Sequence, residues 1–266
     1  MYGTAIVCAS LVLLVACAPA PQDPPPARPD LAPTGTLRAG LNFGNVLLTG
    51  KDPATGEPRG VAVDLARELA RRLDVPLQIV PYESAGALAD AVKSRAWDVA
   101  FLGAEPQRAS EINFTAAYVE IESTYLVPPG SPLRTVADVD RDGARIAVSE
   151  KSAYDLYLSR NLQHARLERA EGVEGAFKRL VGEKMDALAG LRPVLLTYVE
   201  KLPGSRVLDD RFTTVQQAVG TPKDRDAGAA YLREFIEDVK AAGLVAQFIE
   251  SNGVRGLTVA PPATPQ

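Results

Sequence analysis

The chain is poor in reactive side chains. Of its 266 residues only two are cysteine, Cys8 and Cys17, both within the first 17 positions, and one is histidine, His164. A histidine-rich zinc site or a cysteine nucleophile in the body is thereby excluded, and His164 reads as a surface or capping residue at a helix end. No Gly-x-Ser-x-Gly elbow, Walker loop or dinucleotide fingerprint occurs, so no cofactor is expected. The net charge of -4 comes without any basic run, which leaves no electrostatic footprint for nucleic acid; adjacent Arg71 and Arg72 read as the solvated face of a helix. Asp138, Asp140, Asp142 and Gly143 match the opening half of a calcium loop, but its twelfth position is Ser149 instead of a bidentate glutamate. That segment reads as a polar turn, and no metal is expected.

Long apolar runs are also scarce. The one near the start, residues 5–16, is too short to span a bilayer permanently and ends in small residues, the pattern of a secretory signal, although no Lys or Arg precedes it. Leu14 Val15 Ala16 Cys17 resembles the lipobox of bacterial lipoproteins. That resemblance implies a signal peptide over residues 1–16, removed together with Cys8, and a lipid on Cys17 that anchors an extracytoplasmic protein to a membrane. Residues 17–34 carry Pro19, Pro21, Pro24, Pro25, Pro26, Pro29 and Pro33, a density that favours an extended polyproline tether over helix or sheet; at about 3.1 Å per residue the stretch 18–33 would reach roughly 50 Å. Residues 259–266 read as a disordered tail. The remaining body, 46% hydrophobic over the whole chain, suffices for one large domain or two lobes.

Strand and helix alternate twice along that body. Strands are expected at 37–41, 77–80 and 99–102, the last an apolar run suited to burial on both faces of a parallel sheet. Between them, Ala62, Leu65, Ala66, Leu69, Ala70 and Leu73 follow a helical period opposite Asp64, Arg67, Glu68, Arg71 and Arg72. Ser84 is placed to cap a second helix reaching Lys93. The second half repeats the scheme, with strands at 145–148, 167–170 and 187–189 and helices at 153–162 and 173–181; Asp98 and Asp186 read as turns into corresponding strands. Closing helices are expected at 226–242 and 244–249. The fold class is α/β with two lobes, each a mainly parallel sheet flanked by helices. Residues 35–125 and 218–258 would form lobe 1 and residues 126–217 lobe 2, with crossings near 122–127 and 213–220.

The stretch 105–118 follows a buried strand, where ligands sit in open α/β sheets. Its Arg108 has the chemistry to clamp a carboxylate through two parallel hydrogen bonds, or to pair with Glu105 or Glu111 on the surface. Four segments, in this order, resemble the successive signatures of the family 3 periplasmic solute-binding proteins, the polar amino acid receptors of ABC importers. They are Gly60 Val61 Ala62 Val63 Asp64 Leu65 Ala66; Ala96 Trp97 Asp98 Val99; Arg108 with Asn113 Phe114 Thr115 and Tyr118; and Gln216 Gln217 Ala218 Val219 Gly220. The resemblance spans residues 35–255 and implies a periplasmic-binding-protein type 2 fold whose lobes close over a ligand.

On that resemblance Arg108 corresponds to the arginine that clamps the ligand carboxylate, Ser152 to the hydroxyl residue at a helix N-terminus beside it, and Phe43 to the aromatic wall, with Tyr82 and Tyr154 as further aromatic candidates. The chain also departs from the pattern. Gly103 and the acidic Glu105 precede the arginine, Lys151 stands where a glycine is common, and Gly190, Leu191 and Arg192 occupy the segment where an aspartate usually receives the ammonium group. Either Glu105 takes over that role, or the ligand is a small organic anion held by Arg108 and Arg192. The implied function is a monomeric, lipid-anchored receptor that delivers a small carboxylate-bearing solute to an ABC permease in the inner membrane. The alternatives are a cyclohexadienyl-type dehydratase on the same fold, with Glu105 as general acid, and a ligand-sensing receptor for a signalling partner.

Overall fold

The computed structural model describes residues 26–264; Cys8, Cys17, the apolar segment 5–16 and the first prolines lie outside the described residues. In chain order the elements are α1 (Arg28–Leu31), β1 (Leu37–Asn42), β2 (Gly50–Lys51), β3 (Pro58–Arg59), α2 (Val61–Leu73), β4 (Leu77–Tyr82), α3 (Ala85–Asp90), β5 (Val99–Gly103), β6 (Ile112–Val127) and β7 (Arg145–Ser149). There follow α4 (Ala153–Asn161), β8 (Arg166–Ala170), α5 (Gly172–Gly182), β9 (Ala187–Leu191), α6 (Arg192–Lys201), β10 (Arg206–Val207), β11 (Thr213–Pro222), α7 (Asp226–Ala241), α8 (Leu244–Ser251) and β12 (Thr258–Val259).

The periodic stripe of α2 is buried from Ala62 to Leu73, Val61 and Val63 are buried beside it, and α8 also packs on this helix. Each buried leucine of this kind contributes about 1.5–3 kcal/mol. Gly60, with φ of 123°, lets the chain enter α2 where a Cβ would lie 2.3 Å from the Leu48 carbonyl. Ser84 caps α3 through the Ala87 amide at 3.1 Å, as its sequence position implies, and a 3₁₀ turn, Ala91–Ser94, continues it. All five residues of β5 and of β9 are buried, as expected of central strands.

One sheet runs through the molecule in the order β4-β1-β5-β11-β6-β9-β7-β8. At one end β4, β1 and β5 are mutually parallel, and at the other so are β9, β7 and β8. Between these two lobes run β6 and β11, antiparallel to each other from Thr213↔Ser123 to Pro222↔Ile112, with bulges near Ala218. The expected crossings are thus paired edge to edge as one ribbon. The lobes also share a lock at corresponding places. Asp98 donates its amide to the Arg38 carbonyl and accepts the Arg38 amide at 3.1 Å; Asp186 does the same with Arg145, accepting its amide at 2.9 Å. Asp98 adds a two-pronged ion pair to the Arg38 guanidinium at 2.9 and 2.7 Å.

Two expectations require correction, and one helix was not expected. Residues 28–31 form a helical turn instead of tether: Pro29 occupies an early helical position, which its missing N–H tolerates, and Leu31 is fully buried against Gly228 of α7. The tail does not begin at 259, because Thr258 and Val259 pair with β6 and the Ala260 amide bonds the Tyr118 carbonyl. Helix α6 has no counterpart in the expected elements; its buried Val194, Leu195 and Tyr198 make too narrow a stripe to read as a period. The calcium-like segment is a turn: Asp138 closes a capping box with Thr135, and Asp140 accepts the amides of Gln163, His164 and Ala165.

Candidate functional site

Where the carboxyl ends of the two parallel strand sets face each other, a narrow, partly open cleft of about 80 Å³ lies against the ribbon. Lobe 1 contributes Asn42 at the end of β1 and Asn45 beyond it, Glu83 after β4, and Gly103 at the end of β5 with Arg108 beyond it; lobe 2 contributes Ser149 at the end of β7 and Glu150 after it, Ser152 and Tyr154 at the start of α4, and Leu191 at the end of β9. The ribbon adds Val215 and Gln217.

Arg108 opens a 3₁₀ turn directly beyond β5 and is 6% exposed. Its Nη1 donates to the Gly103 carbonyl at 2.6 Å and its Nη2 to the Lys151 carbonyl, on the other lobe, at 2.8 Å. Only two of its five N–H donors are used in this way. Among the described residues no carboxylate lies within ion-pair distance of it, and desolvation pulls its pKa down to about 10, partly opposed by the fields of Glu105 and Asp90. The guanidinium remains charged at neutral pH. A buried cation that meets only backbone dipoles is an uncompensated charge, and an anion in the cleft would compensate it.

Ser152 lines the same wall as the N-cap of α4, its Oγ accepting the Asp155 amide at 3.0 Å. Asp155 in turn accepts the Lys151 amide at 2.8 Å. Burial raises the pKa of the Tyr154 phenol, hydrogen bonds to Ser152 and Ser149 opposing the shift. Gly103 lines the cleft because nothing larger fits, a Cβ there lying 2.9 Å from that of Ala153 and 3.0 Å from Val215. Lys151 holds φ of 52°, a left-handed conformation suited to glycine, and its Nζ reaches Asp90 of lobe 1 at 2.7 Å.

Other candidates fall elsewhere. The Glu105 carboxylate is bound by Arg160 at 2.5 Å outside the cleft wall, so it is not placed to receive an ammonium group. Arg192 is consumed by Glu122 at 2.7 Å and by the carbonyls of Leu208, Asp209 and Asp210, facing a second cleft on the other side of the ribbon. Gly190 points its α-hydrogen at Leu195, where a Cβ would lie 2.9 Å away; the β9 residue that faces the cleft is Leu191. Phe43 packs against the main hydrophobic core and Tyr82 against a smaller cluster that includes Trp97. The sequence reading missed Asn42, Asn45, Glu83 and Glu150, which the strand-end rule that singled out residues 105–118 would have found if applied to β1, β4 and β7. Among the described residues no three His, Cys, Asp or Glu side chains are grouped to hold a metal ion, and no helix is long and apolar enough to cross a membrane.

Comparison with known proteins gives this geometry a context. The glutamine-binding protein of Geobacillus stearothermophilus is 23% identical over 201 residues, covering 71% of this chain and 74% of that protein. Among solved structures, an amino acid ABC transporter substrate-binding protein from Streptococcus pneumoniae, bound to L-arginine, superposes with a TM-score of 0.71 at 20% identity, covering 88% of this chain and 99% of that one. An ancestral amino acid-binding protein described as a precursor of cyclohexadienyl dehydratase gives a TM-score of 0.68 at 22% identity over 82% of this chain and 95% of that one. These structures share the two-lobed fold, and the profile of the bacterial extracellular solute-binding proteins, family 3, matches residues 49–252. The chain belongs to that family.

Proposed function

We propose that this protein is the extracytoplasmic receptor of an ABC importer, a monomer held to a membrane by a lipid on Cys17, which closes its lobes over an amino acid and grips the carboxylate with Arg108. Residues 35–125 with 218–258 form one lobe and residues 126–217 the other. The observation that carries this reading is the buried guanidinium of Arg108 in the cleft wall, with spare donors and no carboxylate partner among the described residues. It is supported by family membership and by the start of α4 in the same wall, whose free amides favour an anion. Ligand contacts to both lobes shift the hinge equilibrium toward closure, the physical basis of a receptor that presents a loaded form to a permease.

Calorimetry with a panel of amino acids tests the proposal. Arg108→Met is expected to weaken binding by about 2–5 kcal/mol, the usual loss for truncating a buried charge contact, while its urea midpoint stays near or above that of the native protein because a desolvated cation is removed. Unchanged affinity would take Arg108 out of the site. The dehydratase reading draws on the ancestral relative, but the acid it relied on, Glu105, is held by Arg160. Turnover of prephenate or arogenate would revive it; stoichiometric amino acid binding without product ends it.

A further inference from the structure

The charges lining the cleft do not balance, and the imbalance identifies a ligand class. Glu83 from lobe 1 and Glu150 from lobe 2 line the cleft together with Arg108, and among the described residues neither carboxylate makes a hydrogen bond or ion pair. Other charged groups bridging the lobes do have partners: Asp90 holds Lys151 at 2.7 Å and Glu105 holds Arg160 at 2.5 Å. The lining therefore carries one fixed positive charge and two negative ones. A neutral zwitterion leaves that sum at one negative charge, and an acidic amino acid makes it more negative. A ligand with one carboxylate and two cationic groups brings it to zero, and the apolar groups of Leu191, Val194 and Val215 in the same lining suit the aliphatic stem between its charged ends. The cleft thus supplies a positive pole that is buried, a divided negative pole and an apolar wall.

Resting on the amino acid receptor reading above, we infer that the cleft selects an amino acid with a cationic side chain, its carboxylate on Arg108 and its two cationic groups shared between Glu83 and Glu150. Because the two glutamates come from opposite lobes, such a ligand draws the lobes together from both sides, and closure removes the pair from the solvent that weakens exposed ion pairs.

Titration calorimetry with arginine against citrulline, which has nearly the same shape without the side-chain charge, provides the test. Arginine is expected to bind at least about tenfold more tightly, a difference of about 1.4 kcal/mol. In Glu83→Gln/Glu150→Gln both ligands are expected to weaken, citrulline through its ammonium alone and arginine through both cationic groups, so that the preference falls below about threefold, with the thermal midpoint unmoved because both side chains are exposed and unpaired in the described structure. Equal binding of arginine and citrulline by the native protein would overturn the inference and leave the receptor reading standing; so would a preference that survives the double substitution. Failure of every amino acid to bind would instead overturn the receptor reading, and this inference with it.

Discussion

At the scale of single residues, Lys151 joins a backbone cost to an interlobe contact. Its left-handed φ of 52° is unfavourable for any side chain with a Cβ, by about 1 kcal/mol relative to glycine, yet its carbonyl receives Arg108 and its Nζ bridges to Asp90. The backbone half of this arrangement survives substitution and the side-chain half does not. Lys151→Gly is therefore expected to be more stable than Lys151→Ala by about 1 kcal/mol in urea unfolding, and both are expected to release ligand faster than the native protein in stopped-flow experiments. Equal stability of the two variants would show that the left-handed conformation carries no penalty here. Gly86 belongs to the same contact, since a Cβ there would lie 2.7 Å from that of Lys151.

At the scale of elements, the paired locks before β5 and β9 are alike in connectivity and unlike in burial. The Asp98 side chain is 1% exposed and that of Asp186 is 32% exposed. Asp98→Ala strands a partly buried arginine and is expected to cost about 3 kcal/mol in unfolding free energy, whereas Asp186→Ala is expected to cost about 1 kcal/mol. Comparable losses at both sites would contradict the burial argument. These aspartates were legible in the sequence as turns into matching strands, as were α2 from its stripe and β5 from its unbroken apolar run. Helix α6 was hidden by its narrow stripe, and α1 by prolines that announce a tether although one of them begins a helix. The site was legible in part for a related reason. Arg108 stands out by its place after a buried strand. Glu105 and Arg192 look equally suited until partners 55 and 70 residues away occupy them. A strand buried on both faces conceals which residue points at the cleft, so the sequence draws attention to Gly190 where the structure presents Leu191.

At the scale of the whole molecule, the two lobes are bridged by Lys151–Asp90, whose side chains are 54% and 58% exposed, and by Arg160–Glu105, at 40% and 11%. Ligand exchange must break them. Exposed pairs are worth little each, about 0–1 kcal/mol, and are screened by salt, so the ligand dissociation rate is expected to rise several-fold between low and 0.5 M ionic strength, roughly a fall in screening length from 30 to 4 Å. Lys151→Ala/Arg160→Ala should release faster at low salt and respond less to added salt; an undiminished response would assign the effect elsewhere. Both ends of the described chain, meanwhile, are fastened to the same lobe. Asp30 of α1 accepts the Gly228 amide in the first turn of α7 at 2.9 Å, and the segment after β12 bonds the lobe 1 half of β6 at Tyr118. In mechanical language, the proposed closure makes lobe 1 the stator and lobe 2 the rotor. A load applied at either end of the described residues then bypasses the swing, and a fluorophore attached there is expected to stay still while one placed on α5 sweeps out the full stroke.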